Sequence, residues 1–63
     1  MKRPTVREIN VHLARLETRV YVVLANGEFP IRRAKTVHGI LYGLSLRRNE
    51  WIEIPSEAKI ELV

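Results

Sequence analysis

The chain has no cysteine, no aspartate and only four aromatic residues among its 63. Without cysteine it can form neither a disulfide nor a thiolate metal site, and two histidines are too few for a structural zinc site. A domain of this length buries only about 60% of its unfolded surface. Because no covalent or metal staple supplements that core, the sequence predicts self-association, with a homodimer favoured since two-fold assemblies are commonest.

Membrane and export signals are also missing. No apolar run approaches the roughly 20 residues that a membrane span needs, and no apolar segment follows the initial Met-Lys-Arg. The sequence therefore predicts a cytoplasmic protein without a membrane partner.

The chain contains none of the compact motifs that carry chemistry. It has no nucleophile elbow, phosphate-binding loop or metal motif. His38 precedes Gly39 and is most simply a turn residue, while His12 is most simply on the polar side of a helix. We therefore expect a protein that is not an enzyme, with no catalytic residue, no cofactor and no metal.

What the chain does have is a step in charge. Between Phe29 and Asn49 there are five basic residues and no acid, whereas four glutamates face one lysine from Glu50 onward. The net charge is +4, and eight of the eleven basic residues are arginine, which suits phosphate recognition. The five basic residues are the candidate nucleic-acid-binding residues: Arg32, Arg33, Lys35, Arg47 and Arg48.

The pattern of residues predicts one domain over 1–63 of the mainly β (α+β) class. Thr5 and Glu8 form a capping-box pair, and apolar residues at spacings of three and four follow it; these are Val6, Ile9, Leu13, Leu16 and Val20. Together they predict a helix over about 5–17. Alternating and β-branched residues then predict five strands, at about 19–25, 28–35, 40–47, 51–54 and 59–63. An antiparallel sheet of this length should curl into a small barrel to protect its edges.

Three local features refine this prediction. Asn26-Gly27 favours a type I′ hairpin turn, and Pro30 has no amide proton and so belongs at an edge or a bulge. A three-residue loop at 48–50 would pair Leu46 with Ile52 and place Arg47 opposite Trp51. The last pairing would bring a cation against an indole ring.

Two of the aromatic residues are candidates for stacking or for a subunit interface. Tyr21 is out of phase with the apolar residues of its predicted strand, and Trp51 is out of phase with Ile52 and Ile54. Exposed aromatics near arginine stack on bases in nucleic-acid readers. Trp also anchors protein interfaces disproportionately, which favours the interface interpretation for Trp51.

The first predicted hairpin, with the sequence VYVVLANGE, resembles that of the Sm-like small barrels, and within that group Hfq and the Rho-inhibitor Rof. The segment IEIPSEAKI is similar to their last two strands and connecting turn, and generic SH3-like barrels share the pattern. The resemblance implies an Sm-like or SH3-like barrel. None of the family's RNA-binding residues stands at a matching position, since the aspartate of the usual binding loop and a Tyr-Lys-His segment are both absent.

Two functions follow from these patterns. The first is a small basic protein that binds RNA or single-stranded DNA through its arginine-rich strand and loop surfaces. The second is a protein-interaction or regulatory module, similar to a Rof-like adaptor, that uses its basic face and a sheet edge.

Overall fold

A computed structural model describes residues 3–63 and contains one helix and one five-stranded antiparallel sheet. The elements are α1 (Val6–Leu13), β1 (Val20–Leu24), β2 (Gly27–Val37), β3 (Ile40–Ser45), β4 (Trp51–Glu53) and β5 (Lys59–Leu62). The strand order is β4-β3-β2-β1-β5. The predicted mainly β class with a leading helix is confirmed, but β4 and β5 form the two edges and do not pair, so the sheet is open.

Helix α1 begins as predicted and ends four residues early. The Thr5 hydroxyl accepts from the Glu8 amide at 3.1 Å, and the Glu8 carboxylate accepts from the Thr5 amide at 2.9 Å. After Leu13 the chain turns, because the Thr18 hydroxyl binds the carbonyls of His12 and Arg15 at 2.8 and 2.9 Å. Leu16, which continues the apolar spacing and was expected within the helix, lies beyond its end and is exposed.

The β1–β2 hairpin turns one residue earlier than predicted. Leu24 pairs with Gly27, so the loop residues are Ala25 and Asn26. Gly27 has φ 142°, whereas Asn26 does not have the positive φ that a type I′ turn requires. Both loop residues of the next hairpin, His38 and Gly39, have positive φ, at 52° and 78°. The type I′ conformation therefore belongs to the β2–β3 hairpin.

Strand β2 bends in its middle, at a β-bulge. Ile31 pairs with Ser45 but Arg33 pairs with Leu44, so Arg32 is an extra residue on β2. Pro30 precedes the bulge, as expected for a residue without an amide proton. Its carbonyl accepts from the Leu46 amide at 3.0 Å, just beyond the end of β3. The bend lets β2 pair first with β1 and then with β3.

Helix α1 is tied to the sheet where β2 leaves β1. The last β1 pair is Val20 with Ile31, so the backbone of Ala34 has no partner strand on that side. The Asn10 side chain replaces the missing strand: its amide donates to the Ala34 carbonyl at 3.0 Å, and its oxygen accepts from the Ala34 amide at 2.9 Å. Both peptide groups are thereby satisfied.

The core lies between α1 and the concave face of the sheet. Its buried apolar residues are Ile9, Val20, Val22, Ile31, Ala34, Ile54 and Ala58. Gly43 faces this core at a close approach, since a Cβ there would lie 2.8 Å from Ile31 Cγ2 and 3.0 Å from Ile54 Cδ1. Any larger side chain at Gly43 would overpack the core.

The predicted register of β3 and β4 is wrong. Trp51 pairs with Leu44, and Ile52 pairs with Gly43, which leaves a five-residue loop at 46–50. The buried Ser45 explains the longer loop, because its amide donates to the Glu50 carbonyl at 2.9 Å and its hydroxyl accepts from the Arg48 amide. A buried polar residue needs such partners. Arg47 consequently lies in the loop and not opposite Trp51.

Candidate functional site

The exposed face of β2, β3 and β4 carries cations beside aromatic rings. Side chains directly opposite each other on antiparallel strands share a face of the sheet. The pairings therefore give two parallel rows, Arg33–Leu44–Trp51 and Lys35–Tyr42–Glu53. We call these six residues the β2–β4 face. The alternate positions, such as Ala34 and Gly43, point into the core.

A cation–π contact on the β2–β4 face joins Lys35 to Trp51. The Lys35 Nζ lies 4.1 Å from the centre of the indole ring, well within cation–π range. Lys35 on β2 and Trp51 on β4 belong to neighbouring rows on either side of β3, so the lysine side chain extends across β3 to reach the ring. Trp51 remains 38% exposed. The predicted cation against Trp51 is thus present, but it is Lys35 and not Arg47.

Three further predicted cations lie on the bulge of β2 and on the loop at 46–50. The Arg32 guanidinium donates to Asn49 Oδ1 at 3.3 Å, which joins the bulge to the loop at 46–50. Asn49 has φ 55° and its amide donates to the Ser45 carbonyl at 2.8 Å, so hydrogen bonds to Ser45 shape this loop. Arg47 and Arg48 are exposed on the same loop. We call Arg32, Arg47 and Arg48 the basic bend.

The basic bend adjoins the β2–β4 face along the chain. Arg32 precedes Arg33 on β2, and the loop at 46–50 leads directly into Trp51. Within residues 3–63, the ion pair found on this surface is between Arg48 and Glu50, at 3.5 Å with both side chains largely exposed. An exposed pair of this kind contributes little to stability, and Arg48 can readily exchange Glu50 for another anion. Arg32 is thus joined to the loop that carries Arg47 and Arg48, and Lys35 contacts the tryptophan that directly follows this loop.

Tyr21 lies elsewhere. It is half-buried on β1, where its cross-strand neighbours are Pro30 and Glu61. Glu61 places a negative charge beside it, and neither the bend nor the β2–β4 face includes it. The structure thus brings Trp51 together with the basic residues but leaves Tyr21 apart from them.

Two arginines that the sequence interpretation passed over also reach the bend. Arg15 and Arg19 line a cleft of about 260 Å³ together with Arg32. Arg15 falls inside the helix predicted over 5–17, where nothing distinguishes it from an ordinary exposed residue. The early end of α1 and the bulge at Arg32 bring these residues together; Pro30 indicates the bulge, but the spacing of apolar residues does not indicate where α1 ends.

Other kinds of site have little support in the described part of the chain. No three His, Asp, Glu or Cys side chains among residues 3–63 come close enough to hold a metal ion. In that same range, no helix is both long enough and apolar enough to cross a membrane.

Comparison with protein-family models, with curated proteins and with solved structures gave no significant match for this chain. The resemblance to the Sm-like barrels stays a prediction. The candidate site is therefore defined by its own contacts: the Lys35 ammonium over the Trp51 ring, the hydrogen bond from Arg32 to Asn49, and the exposed Arg48–Glu50 ion pair.

Proposed function

We propose that this protein binds nucleic acid, with RNA or single-stranded DNA preferred over duplex, through the basic bend and the β2–β4 face. The observation that carries the proposal is the position of Trp51: its exposed ring lies under the Lys35 ammonium, on the face that also carries Arg33, and it directly follows the loop of Arg47 and Arg48. Phosphates bind the cations, and a base stacks on the indole.

Magnitudes favour a base over Lys35 as the partner of the indole ring. An exposed cation–π contact contributes about 0.5–1 kcal/mol, whereas stacking of a base on an aromatic side chain contributes about 1–3 kcal/mol. A base can therefore displace the Lys35 ammonium from Trp51. The ammonium then becomes free to neutralise a phosphate of the same strand.

The preference for single strands follows from the same contact. Bases in a duplex are stacked on each other and offer no free ring face to Trp51, while an unpaired strand does. The β2–β4 face is also one side of a sheet, with no helix exposed on it to enter a groove.

Fluorescence anisotropy with labelled single-stranded RNA, single-stranded DNA and duplex DNA at two salt concentrations tests this function. The affinity should fall with salt at a log–log slope of about −0.7 per phosphate neutralised on a single strand. Lys35→Glu should weaken binding far more than Lys59→Glu, which makes the same charge change on β5. Equal losses in the two variants, or no binding by the wild type at low salt, would refute the proposal.

The proposal includes self-association as a homodimer. Strands β4 and β5 each pair on one side only among residues 3–63, and Leu62 on β5 is 42% exposed. An unpaired edge with apolar side chains is a template for another strand. Sedimentation should show a dimer at micromolar concentration, and a stable monomer there would contradict this part.

The finer fold assignment is also part of the proposal. We infer that the open sheet is a variant of the Sm-like or SH3-like small barrel. The β-bulge at Arg32 and the close approach of Ile31 and Ile54 over Gly43 support it, because both curl the sheet around its core. An experimental structure with a flat sheet would exclude this kinship.

A further inference from the structure

A cleft beside the end of α1 combines apolar side chains with arginines. It lies between the turn at 14–19 and the bulge of β2, and has a volume of about 260 Å³. Its lining includes Leu13, Leu16, Leu46, Arg15, Arg19 and Arg32. We call it the leucine cleft. Glu17 is the one acid in its lining, so the cleft is positively charged.

Leu16 is the least expected residue of the leucine cleft. The residue is 94% exposed, and Leu46, which also lines the cleft, is 45% exposed. The turn that carries Leu16 has a defined conformation. Glu17 adopts φ 60°, and the Thr18 hydroxyl hydrogen-bonds to the carbonyls of two preceding residues. Large apolar side chains displayed together at a cleft mark interaction sites.

We propose that the leucine cleft docks an acidic segment of another protein, which places one large apolar side chain between Leu16 and Leu46. Because three arginines and one glutamate line the cleft, we expect its partner to carry negative charge. Because leucines also line the cleft, we expect an apolar side chain of the partner at the centre of the contact. The arginines would then pair with carboxylates of the partner around it.

Shape and chemistry favour this occupant over three others. A lipid surface is flat and cannot fill a concave site, and an aliphatic leucine gives a nucleic-acid base no ring on which to stack. A second copy of the chain carries a net charge of +4 and would bring positive charge toward three arginines. The cleft shares Arg32 with the basic bend, but Leu16, Arg15 and Arg19 belong to neither the basic bend nor the β2–β4 face, so changes at these three residues test the cleft alone.

Selection of binders from a random peptide display library, followed by anisotropy with the labelled selected peptides, tests the proposal. We expect the enriched peptides to carry net negative charge and at least one large apolar residue. Leu16→Ser and Arg19→Glu should each weaken these peptides by about tenfold or more, the loss typical of a central contact. Because Leu16 is exposed, its replacement leaves the fold intact, which circular dichroism checks.

Matched controls locate the effect. Val37→Ser changes another exposed apolar residue and Arg7→Glu another exposed arginine, both outside the cleft, and each should leave peptide affinity within about twofold, as expected for residues that make no contact. Enriched peptides that are neutral or basic, or that ignore Leu16→Ser, would overturn the proposal.

Two further experiments distinguish a protein partner from other ligands of the cleft, and peptide binding at the cleft from the proposed nucleic-acid binding. Binding to vesicles of anionic lipid, or to single-stranded RNA, that is lost on Leu16→Ser would assign the cleft to that ligand and overturn the protein partner. Loss of RNA binding on Lys35→Glu with peptide binding retained would support the proposal, because the two sites then act separately.

Discussion

The two halves of the bent sheet differ in what their outer faces carry. The first half consists of β5, β1 and the start of β2, and its exposed positions mix both signs of charge: Glu28, Lys59 and Glu61. The second half consists of the end of β2, β3 and β4, and there Arg33, Lys35 and Glu53 share a face with Trp51. Both halves therefore carry charges of both signs, and what distinguishes the second half is the exposed indole ring in contact with the Lys35 ammonium.

The two halves also differ in what holds them in place. In the first half β1 pairs on both sides, and its ladder continues past the strand ends through two hydrogen bonds between Arg19 and Val63, at 2.9 and 2.8 Å. In the second half β2 has lost β1 as a partner, and one side chain, Asn10, replaces it at Ala34. The half that carries the candidate site thus depends on α1.

The largest expected effect is a loss of stability that involves both halves of the sheet. Ile9 is fully buried on α1 and packs in the core common to both. Ile9→Ala should lower the free energy of unfolding by about 2–5 kcal/mol, through lost burial and the cavity left behind. Urea denaturation followed by circular dichroism measures this. Val11→Ala on the same helix is the control, since Val11 is 52% exposed. Equal losses in the two variants would contradict the described core.

A smaller effect should fall on the second half alone. Asn10→Ala leaves the amide and carbonyl of Ala34 without partners, which should cost about 1–3 kcal/mol. Hydrogen exchange should be faster at the Ala34 amide and little changed at the Arg19 amide, which β5 protects. Asn26→Ala, in an exposed turn, is the control. Unchanged exchange at Ala34 would show that the two halves are held alike.

The smallest expected effect is a pH dependence at the start of α1. The backbone and the side chain of Thr5 both hydrogen-bond in the capping box, and this lowers the pKa of Glu8 below its ordinary value. A carboxyl whose pKa is lower in the folded state stabilises the fold above its unfolded pKa. That contribution is lost as the pH falls through the lowered folded value.

Glu8→Gln isolates this effect, because glutamine keeps a capping oxygen and does not titrate. The wild type should be the more stable of the two at pH 6, and its advantage should shrink as the pH is lowered toward 3. Thermal unfolding of both proteins across that range measures it. An advantage that stays constant would mean that the Glu8 carboxylate does not contribute through its charge.

Local signals in the sequence predict much of this fold. The capping box at Thr5 and Glu8 locates the start of α1, and alternation locates all five strands in the right order. The end of α1 was not predictable from spacing, because Leu16 continues the helical period while the Thr18 hydroxyl stops the helix. Periodicity reports which residues can share a face and not where the chain turns away.

The remaining errors come from tertiary contacts. The turn type was assigned to Asn26-Gly27, but the positive φ values lie at His38 and Gly39. The register of β4 depends on Ser45, whose buried hydrogen bonds lengthen the loop and place Lys35, not Arg47, over Trp51. The basic residues of the candidate site were predictable from charge. Pro30 indicates a bulge or an edge, but which residue is the extra one, and the hydrogen bond that joins Arg32 to the loop at 46–50, were not predictable from the sequence.

The intrinsic fluorescence of Trp51 tests the central claim most directly, because this is the one tryptophan of the chain and it lies in the second half. Single-stranded RNA at low salt should quench it in a saturable titration, as a base replaces Lys35 over the ring, and added salt should reverse the change. Lys35→Glu should weaken the titration, and Lys59→Glu should not. Emission that stays unchanged at RNA concentrations that saturate anisotropy would contradict binding at the β2–β4 face.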